Sequence, residues 1–235
     1  MVKFTFSKIT RPDLKRLIHL DEKAIANYEW TQVESLALEE KEERQLQDIR
    51  GHLLNYDTHL MNEATIWARA IYPLLLLAEQ GPIQAWAEVS LQARYVNFEL
   101  EGIADGTLGK CVAGLVESAY LVVLEAKRGL EAENPLIQVY GQLLAAAHLN
   151  WEKNGNEPQE IFGCYTIADS WKFMRAEIAG IETEKPTMRV EYSREYIEKR
   201  EAETIFKIIK KIVNQYISVS RSHDVQLYQE NRTAK

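Results

Sequence analysis

Five short stretches of the chain have the residue pattern of β-strands. Residues 88–95 alternate apolar and polar side chains, which predicts a strand with one buried face. Residues 98–106 predict a second strand that ends in an Asp-Gly turn, because this dipeptide favours the tight turns that join hairpins. Residues 119–128 begin apolar and end charged, which predicts a central strand whose end opens into solvent. Two further strands are predicted over 159–167 and 171–178.

Apolar residues at intervals of three and four predict helices before, between and after these strands. Long helices are predicted within 13–50, a helix capped by Asp57 runs to Gly81, another starts near Pro135, and the last covers 192–220. The order of helix, three strands, helix, strands and helix predicts an α/β fold. On this pattern we divide the chain into an N-terminal helical extension, an α/β core and a basic C-terminal helix with its tail, with the bounds 1–56, 57–184 and 185–235.

Glu63 lies on the apolar face of the helix that Asp57 caps, one turn before Trp67. Burial of an unpaired carboxylate is costly, so a glutamate in this position indicates a bound cation, a hydrogen-bonding partner or a cleft. The alternative is a salt bridge to Arg69 or Arg94, which would give Glu63 a structural role only.

The composition is that of a soluble globular protein, with 235 residues of which 46% are hydrophobic and 27% are charged. Disordered, collagen-like and disulfide-dense chains are excluded. Cys111 and Cys164 lie far apart and outside any C-x-x-C motif, which excludes a zinc ribbon and favours a reducing compartment. The longest apolar stretch, 70–78, is interrupted by Pro73 and is far shorter than the roughly 20 residues that cross a bilayer. With no export signal at the start, we expect a cytoplasmic protein without a membrane partner.

Charge is distributed unevenly along the chain, whose formal net charge is -7. Residues 1–20 and residues 185–235 each carry +4, which leaves -15 for residues 21–184. A local basic surface can face phosphate even when the whole chain is acidic, so the net charge does not exclude a nucleic-acid partner. The alternative is that these cations form only a solvated surface. The candidate contacts to nucleic acid are five basic side chains, namely Arg94, Arg128, Lys207, Lys210 and Lys211.

Two acidic residues and a lysine are predicted to meet at the end of the third strand. Alternate residues of a strand share a face, so Glu125 and Lys127 project together. Asp105 lies beside Glu125 if the second and third strands pair as a hairpin with a long loop. Two adjacent carboxylates repel each other, and an oxygen-liganded divalent cation such as Mg²⁺ or Mn²⁺ relieves the repulsion. The lysine can orient or help deprotonate a bound water. Two carboxylates, a divalent cation and a lysine are the minimal set of groups for phosphodiester hydrolysis, and Glu63 can add a third carboxylate.

This arrangement resembles the PD-(D/E)XK, or restriction-endonuclease-like, superfamily of nucleases. The resemblance rests on an acidic residue, an acid-x-lysine motif one strand later and a glutamine-bearing helix after it, namely Asp105, then Glu125, Ala126 and Lys127, then Gln138 and Gln142. Within the superfamily, segments 124–128 and 135–144 look most like the nuclease domain at the N-terminus of type I restriction enzyme R subunits. The similarity covers residues 57–178.

The resemblance implies a core made of a mixed central sheet flanked by helices, to which the N- and C-terminal helices are additions. It also implies that Asp105, Glu125 and the carbonyl of Ala126 bind the metal ion and that Lys127 is the catalytic lysine. Glu63 would then be the acidic residue of the first core helix and a further metal ligand.

Two features depart from the family pattern. Ala104 stands where the name-giving proline would be. One branch of the family has Gln-x-x-x-Tyr on the helix after the lysine, whereas here Gln138 is followed four residues later by Gln142, so either glutamine is a candidate. The sequence also does not predict the motor of a restriction enzyme. Residues 106–110 come nearest to a Walker A loop but lack its spacing.

Residues and resemblance together predict a metal-dependent endonuclease that hydrolyses phosphodiester bonds of DNA in defence or repair, with RNA open as a substrate. A cut in both strands of a duplex needs two sites, so a homodimer is an expected assembly. The alternative is a nuclease-like fold without activity that binds nucleic acid or docks a partner such as a motor subunit.

Overall fold

One sheet forms the centre of the fold. The computed structural model describes residues 1–128 and 135–233, with side chains described for all of them except 117–118 and 219–233. Within these residues the sheet has eight strands, namely β1 (Val2–Thr5), β2 (His19–Ile25), β3 (Ile83–Arg94), β4 (Phe98–Val112), β5 (Leu115–Lys127), β6 (Gln159–Ile167), β7 (Ser170–Ala179) and β8 (Thr187–Ile197). The α-helices are α1 (Arg11–Leu17), α2 (Glu40–Leu54), α3 (Glu63–Ile66), α4 (Tyr72–Leu77), α5 (Leu136–Asn154) and α6 (Glu198–Thr233).

The sheet combines parallel and antiparallel pairs. Its strand order is β1-β4-β5-β6-β7-β8-β2, and β3 pairs with β4 outside this path. The pairs β1–β4, β5–β6 and β2–β8 are parallel, whereas β3–β4, β4–β5, β6–β7 and β7–β8 are antiparallel.

Helices cover both faces of this sheet. On one face α5 is buried almost all round, and its Val139 and Leu143 share a hydrophobic core with Val123 of β5. On the other face α2, α4 and α6 share a second core with Leu108 of β4 and Leu124 of β5. The predicted fold class, a mixed central sheet flanked by helices, is confirmed.

The first 25 residues contribute two strands to the sheet. β1 pairs with the start of β4, and β2 pairs with β8, beginning with His19 opposite Thr187. Within the expected helical stretch 13–50 only α2 and most of α1 are helical, so the prediction is wrong for 19–25. Helix propensity is a weak preference, and backbone hydrogen bonds to an open sheet edge outweigh it.

The Asp105–Gly106 dipeptide lies inside a strand. β4 continues to Val112, and the hairpin turn is formed by Ala113 and Gly114, whose φ angles are 52° and 80°. Two residues with positive φ give the turn geometry that matches the twist of an antiparallel pair. The prediction of a turn at Asp105 is therefore wrong. Asp105 lies in the middle of β4, and its side chain projects from that strand.

The helix expected after Asp57 is divided into short segments. A 3-10 turn (Thr58–Leu60) precedes α3, and a π-helical turn (Trp67–Ile71) joins α3 to α4. Asp57 caps only the 3-10 turn, whereas the side chain of Asn62 caps α3. Pro73 lacks the N–H that regular α-helical bonding needs, and the wider π-helical turn before it accommodates this loss.

The remaining predicted elements are close to the observed ones. The strands expected over 88–95, 119–128, 159–167 and 171–178 are confirmed by β3, β5, β6 and β7. The predicted C-terminal helix begins too early, because 192–197 belong to β8 and α6 starts only at Glu198. No helix in residues 1–128 or 135–233 combines the length and the apolar character that a membrane span needs.

Glu198, the first residue of α6, is completely buried. Its Oε2 atom accepts a hydrogen bond of 2.7 Å from Nε1 of Trp171, while Oε1 has no hydrogen-bond partner within the described part of the chain. Burial raises the pKa of this carboxyl group to about 8, and the charge of Asp169 acts in the same direction. Glu198 is therefore mostly protonated at neutral pH.

We expect Glu198→Gln to remove part of the pH dependence of stability. The folded state binds more protons than the unfolded state between pH 4.5 and about 8, so the free energy of unfolding of the wild type falls as the pH rises through this range. Glutamine does not ionise, so between about pH 5 and about pH 8.5 the variant should lose at least about 1.4 kcal/mol less than the wild type. Urea unfolding at both pH values measures this difference, and identical pH dependence in the two proteins would contradict a raised pKa.

Candidate active site

Asp105 and Glu125 lie opposite each other on β4 and β5. Gly106 pairs with Leu124 in this antiparallel ladder, which puts Asp105 across from Glu125. The Oδ2 atom of Asp105 accepts a hydrogen bond of 2.7 Å from the backbone N of Ala126. The hairpin brings the two carboxyl groups close enough for the charge of Asp105 to raise the pKa of Glu125.

Both oxygens of the Glu125 side chain accept hydrogen bonds, although the residue is completely buried. Its Oε1 atom accepts from Nζ of Lys127 at 2.5 Å, and its Oε2 atom accepts from Nε2 of Gln142 at 2.6 Å. Lys127 shares the face of Glu125 because it lies two positions later in the strand. The lysine side chain is 26% exposed, so it links the buried carboxylate to solvent.

Gln142 is the glutamine that the structure brings to the acidic pair. It is completely buried on α5, and its Oε1 atom has no hydrogen-bond partner among the described residues. Gln138 lies one turn earlier and is half-buried. Tyr140 belongs to another cluster, because its hydroxyl group donates to Oε1 of Glu22 at 2.6 Å.

The surroundings of Asp105 and Glu125 do not fully compensate the negative charge of these two carboxyl groups, so both pKa values are raised. Burial raises the pKa of Glu125 to about 7, and Asp105 adds to this effect while Lys127 and Gln142 oppose it. Burial also raises the pKa of Asp105, against the opposing effects of the Ala126 N–H and of Lys127. A single lysine therefore does not neutralise the pair.

Lys127 is an ammonium group at neutral pH. Burial lowers its pKa, but the neighbouring carboxylates of Glu125, Asp105 and Glu63 outweigh burial and hold the pKa above its ordinary value. A charged lysine can stabilise negative charge on a phosphate and orient a water molecule, but it has no free electron pair with which to accept a proton. The structure therefore favours the electrostatic role among those that the sequence leaves open for Lys127.

The donor set of the pair fits a divalent cation with oxygen ligands. Asp105 and Glu125 supply carboxylate oxygens, and a cation would relieve the repulsion that raises their pKa values. Among the side chains that the structure describes, no group of three or more Asp, Glu, His or Cys residues is placed to hold a metal ion. A cation held by Asp105 and Glu125 would complete its shell with the Ala126 carbonyl and water, a mixture that suits Mg²⁺.

Glu63 borders the pair from the solvent side. It is the first residue of α3 and is exposed, so the prediction that it lies on a buried face is wrong. The arginines considered as its alternative partners are engaged elsewhere. Arg94 pairs with Glu99 at 3.3 Å, and the guanidinium group of Arg69 lies 5.8 Å from the ring centroid of Tyr56.

A cleft of about 220 Å³ opens beside Asp105 and Ala126. Its other walls come from α3, the π-helical turn and the middle of β3, namely Glu63, Ala64, Trp67, Ala87 and Glu88. Glu63 and Glu88 both raise the pKa of Asp105, so the cleft is acidic.

Trp67 and Glu88 are two cleft residues that the sequence does not identify as functional candidates. Helical spacing assigns Trp67 to the core, and strand alternation assigns Glu88 to a solvent-facing side. In the structure Glu88 has a φ angle of 53° within β3, a left-handed conformation that non-glycine residues adopt only where their surroundings impose it. No local sequence signal marks either position.

The basic residues expected to contact nucleic acid do not gather at the acidic pair. Arg128 directly follows β5 and is exposed, so it is the one beside Lys127. The three candidate lysines on α6 bind within the chain. Lys207 pairs with the side chain of Glu203, Lys210 pairs with the side chain of Glu42, and Lys211 donates to the backbone carbonyl of Glu29. The contacts of Lys210 and Lys211 help to attach α6 to α2 and to the segment before α2, whereas the Lys207–Glu203 pair lies within α6.

Comparison of the chain with models of protein families gives no match, and comparison with curated proteins gives none either. Function is therefore inferred from the arrangement of Asp105, Glu125, Lys127 and Gln142.

Proposed function

We propose that this chain is a Mg²⁺- or Mn²⁺-dependent nuclease that hydrolyses phosphodiester bonds of DNA. The observation that carries the proposal is the buried carboxyl group of Glu125, which lies opposite Asp105 and is hydrogen-bonded to both Lys127 and Gln142. Buried acids with strongly shifted pKa values are concentrated at catalytic sites. Two oxygen-donor acids beside an ammonium group suit a reaction at phosphate, because negative charge develops there in the transition state.

Each residue of the pair has a defined task in this reaction. When bound, a divalent cation would polarise the phosphate and lower the pKa of the attacking water. Asp105 and Glu125 would hold the cation with the Ala126 carbonyl. The Ala126 N–H fixes Asp105, and Gln142 fixes Glu125 from the side of α5. Lys127 would balance charge on the phosphate oxygens, with Glu63 as an acidic group at the rim of the cleft.

The alternative is a nuclease-like module that binds nucleic acid or another protein without cutting. The engagement of Lys207, Lys210 and Lys211 within the chain favours the form of this alternative that docks another protein, since it takes up basic groups that DNA would otherwise contact. In either function Cys111 and Cys164 are free thiols, in keeping with a cytoplasmic setting. A homodimer would supply the second site that a double-strand cut needs.

A cleavage panel tests the proposal. Purified protein is incubated with supercoiled plasmid, single-stranded DNA and RNA while Mg²⁺ or Mn²⁺ is titrated, and its melting temperature is followed in parallel. We expect metal-dependent cutting of DNA, its loss with a chelator, and a melting temperature that rises with metal concentration. Failure to cut any of the three substrates, together with a melting temperature that neither metal changes, would overturn the nuclease in favour of the module.

A further inference from the structure

The acidic cleft beside Asp105 has one aromatic wall, which is the side chain of Trp67. Trp67 is half-buried and is one of the residues that border the cleft. The carboxylates of Glu63 and Glu88 border the same space. The cleft thus combines an apolar ring with acceptor groups directly beside the proposed reaction centre.

Trp67 is held firmly in this position. Its ring stacks on the ring of Tyr72, with centroids 5.5 Å apart, and the hydroxyl group of Tyr72 donates to the carbonyl of Ala85 at 3.3 Å. A Cβ atom on Gly106 would lie 2.6 Å from the Trp67 ring, so the absence of a side chain at Gly106 allows the ring to lie against β4. The aromatic surface is therefore preorganised in the free protein.

The charges of the cleft decide which part of a nucleotide can enter it. The carboxylates of Glu63 and Glu88, which are not among the proposed cation ligands Asp105 and Glu125, repel phosphate, so the backbone of a nucleic acid is disfavoured between them. A base is uncharged, and its flat face can stack on an indole ring in place of its neighbours in the strand. Bases within a duplex are already stacked and paired, so they would first have to leave the duplex.

We propose that this cleft takes an unpaired nucleobase that stacks on Trp67, so that the substrate is single-stranded or locally unpaired DNA beside the scissile phosphate. The inference rests on the proposed nuclease function and names its substrate class. The base enters between Glu63 and Glu88, and the adjoining phosphate lies at the cation that Asp105 and Glu125 would hold.

Binding and cleavage of two probes test this inference. The probes are a fluorescein-labelled single-stranded DNA oligonucleotide and the fully paired duplex of the same sequence. Trp67→Leu removes the aromatic ring, Trp67→Phe keeps a smaller one, and Trp151→Leu is the matched control, because Trp151 is also half-buried but lies on α5 against His148. Anisotropy in Mg²⁺, with Lys127→Ala added to every protein to prevent turnover, gives the affinities. Cleavage is measured in proteins that retain Lys127.

We expect tighter binding and faster cleavage of the single strand than of the duplex. Trp67→Leu should weaken single-strand binding by about ten-fold or more, Trp67→Phe by less, and Trp151→Leu should have no effect. Melting temperatures show whether weaker binding by Trp67→Leu comes from misfolding. If Trp67→Leu does not fold, the comparison of Trp67→Phe with the wild type decides the test. Equal effects of the Trp67 variants on both probes, or none on either, would overturn the inference. If the wild type cuts neither probe, the nuclease proposal fails, while the affinities still decide whether Trp67 binds an unpaired base.

Discussion

Replacement of Lys127 by alanine is expected to lower metal-dependent cleavage by roughly 10²- to 10³-fold, the loss typical when one preorganised donor is removed from a charged transition state. The ammonium group of Lys127 lies 2.5 Å from Oε1 of Glu125 and is the cation that faces the acidic pair. Its loss leaves negative charge on phosphate oxygens without a partner. Because the side chain of Lys127 is partly exposed, the fold should tolerate the change. Initial rates on plasmid DNA and melting temperatures measure the two effects.

Lys199→Ala is a matched control for this variant. The side chain of Lys199 is 27% exposed, against 26% for Lys127, and its Nζ atom also lies near a buried carboxyl group, 3.9 Å from Oδ2 of Asp169. We expect this control to cut DNA at the wild-type rate. Cleavage at the wild-type rate by Lys127→Ala, or equal losses in both variants, would show that Lys127 has no special part in the reaction.

Glu125→Gln is expected to abolish cleavage and to remove the stabilisation that Mg²⁺ gives to the folded protein. An amide oxygen carries no net charge and is a much weaker ligand than a carboxylate, so the variant should lose most of its affinity for the cation. At about 100 times its Kd, Mg²⁺ should raise the free energy of unfolding of the wild type by about 2.7 kcal/mol, and that of the variant by far less. Urea unfolding with Mg²⁺ or with a chelator gives both values.

Glu198→Gln makes the same chemical change at a second completely buried glutamate. This control lies at the start of α6, where it contacts Trp171, so it should respond to Mg²⁺ like the wild type. A normal Mg²⁺ response in Glu125→Gln would exclude Glu125 as a metal ligand. Loss of the response in both variants would point to a general effect of removing a buried acid.

The sequence predicts β5 and its acidic end because a central strand stays apolar for as long as it lies in the core. Val122, Val123 and Leu124 form this apolar stretch, and charged residues follow. The expectation that the end of the strand opens into solvent is correct for Lys127, but Glu125 is completely buried. Burial of Glu125 depends on α5, which no spacing within β5 can indicate.

The sequence misplaces Glu63 because helical spacing assumes an unbroken α-helix. The caps at Asp57 and Asn62 start separate segments, and the π-helical turn then adds a residue to one turn. Each added residue rotates later positions by about 100° relative to a regular helix. The face assigned to Glu63 from spacing is therefore wrong and Glu63 is exposed, whereas the apolar residues Ala70, Ile71 and Leu74 later in the segment are buried.

Pairing of β2 with β8 has a consequence for the order of events during synthesis. His19 leaves the ribosome early, but its partner Thr187 is made only after β3 to β7. The polar edge strand at the start of the chain must therefore wait, without its hydrogen-bonding partner, until nearly the whole sheet has been translated. Such pairing between distant parts of a chain slows folding. The last step of folding should be the docking of this polar segment onto a sheet whose other strands are already paired.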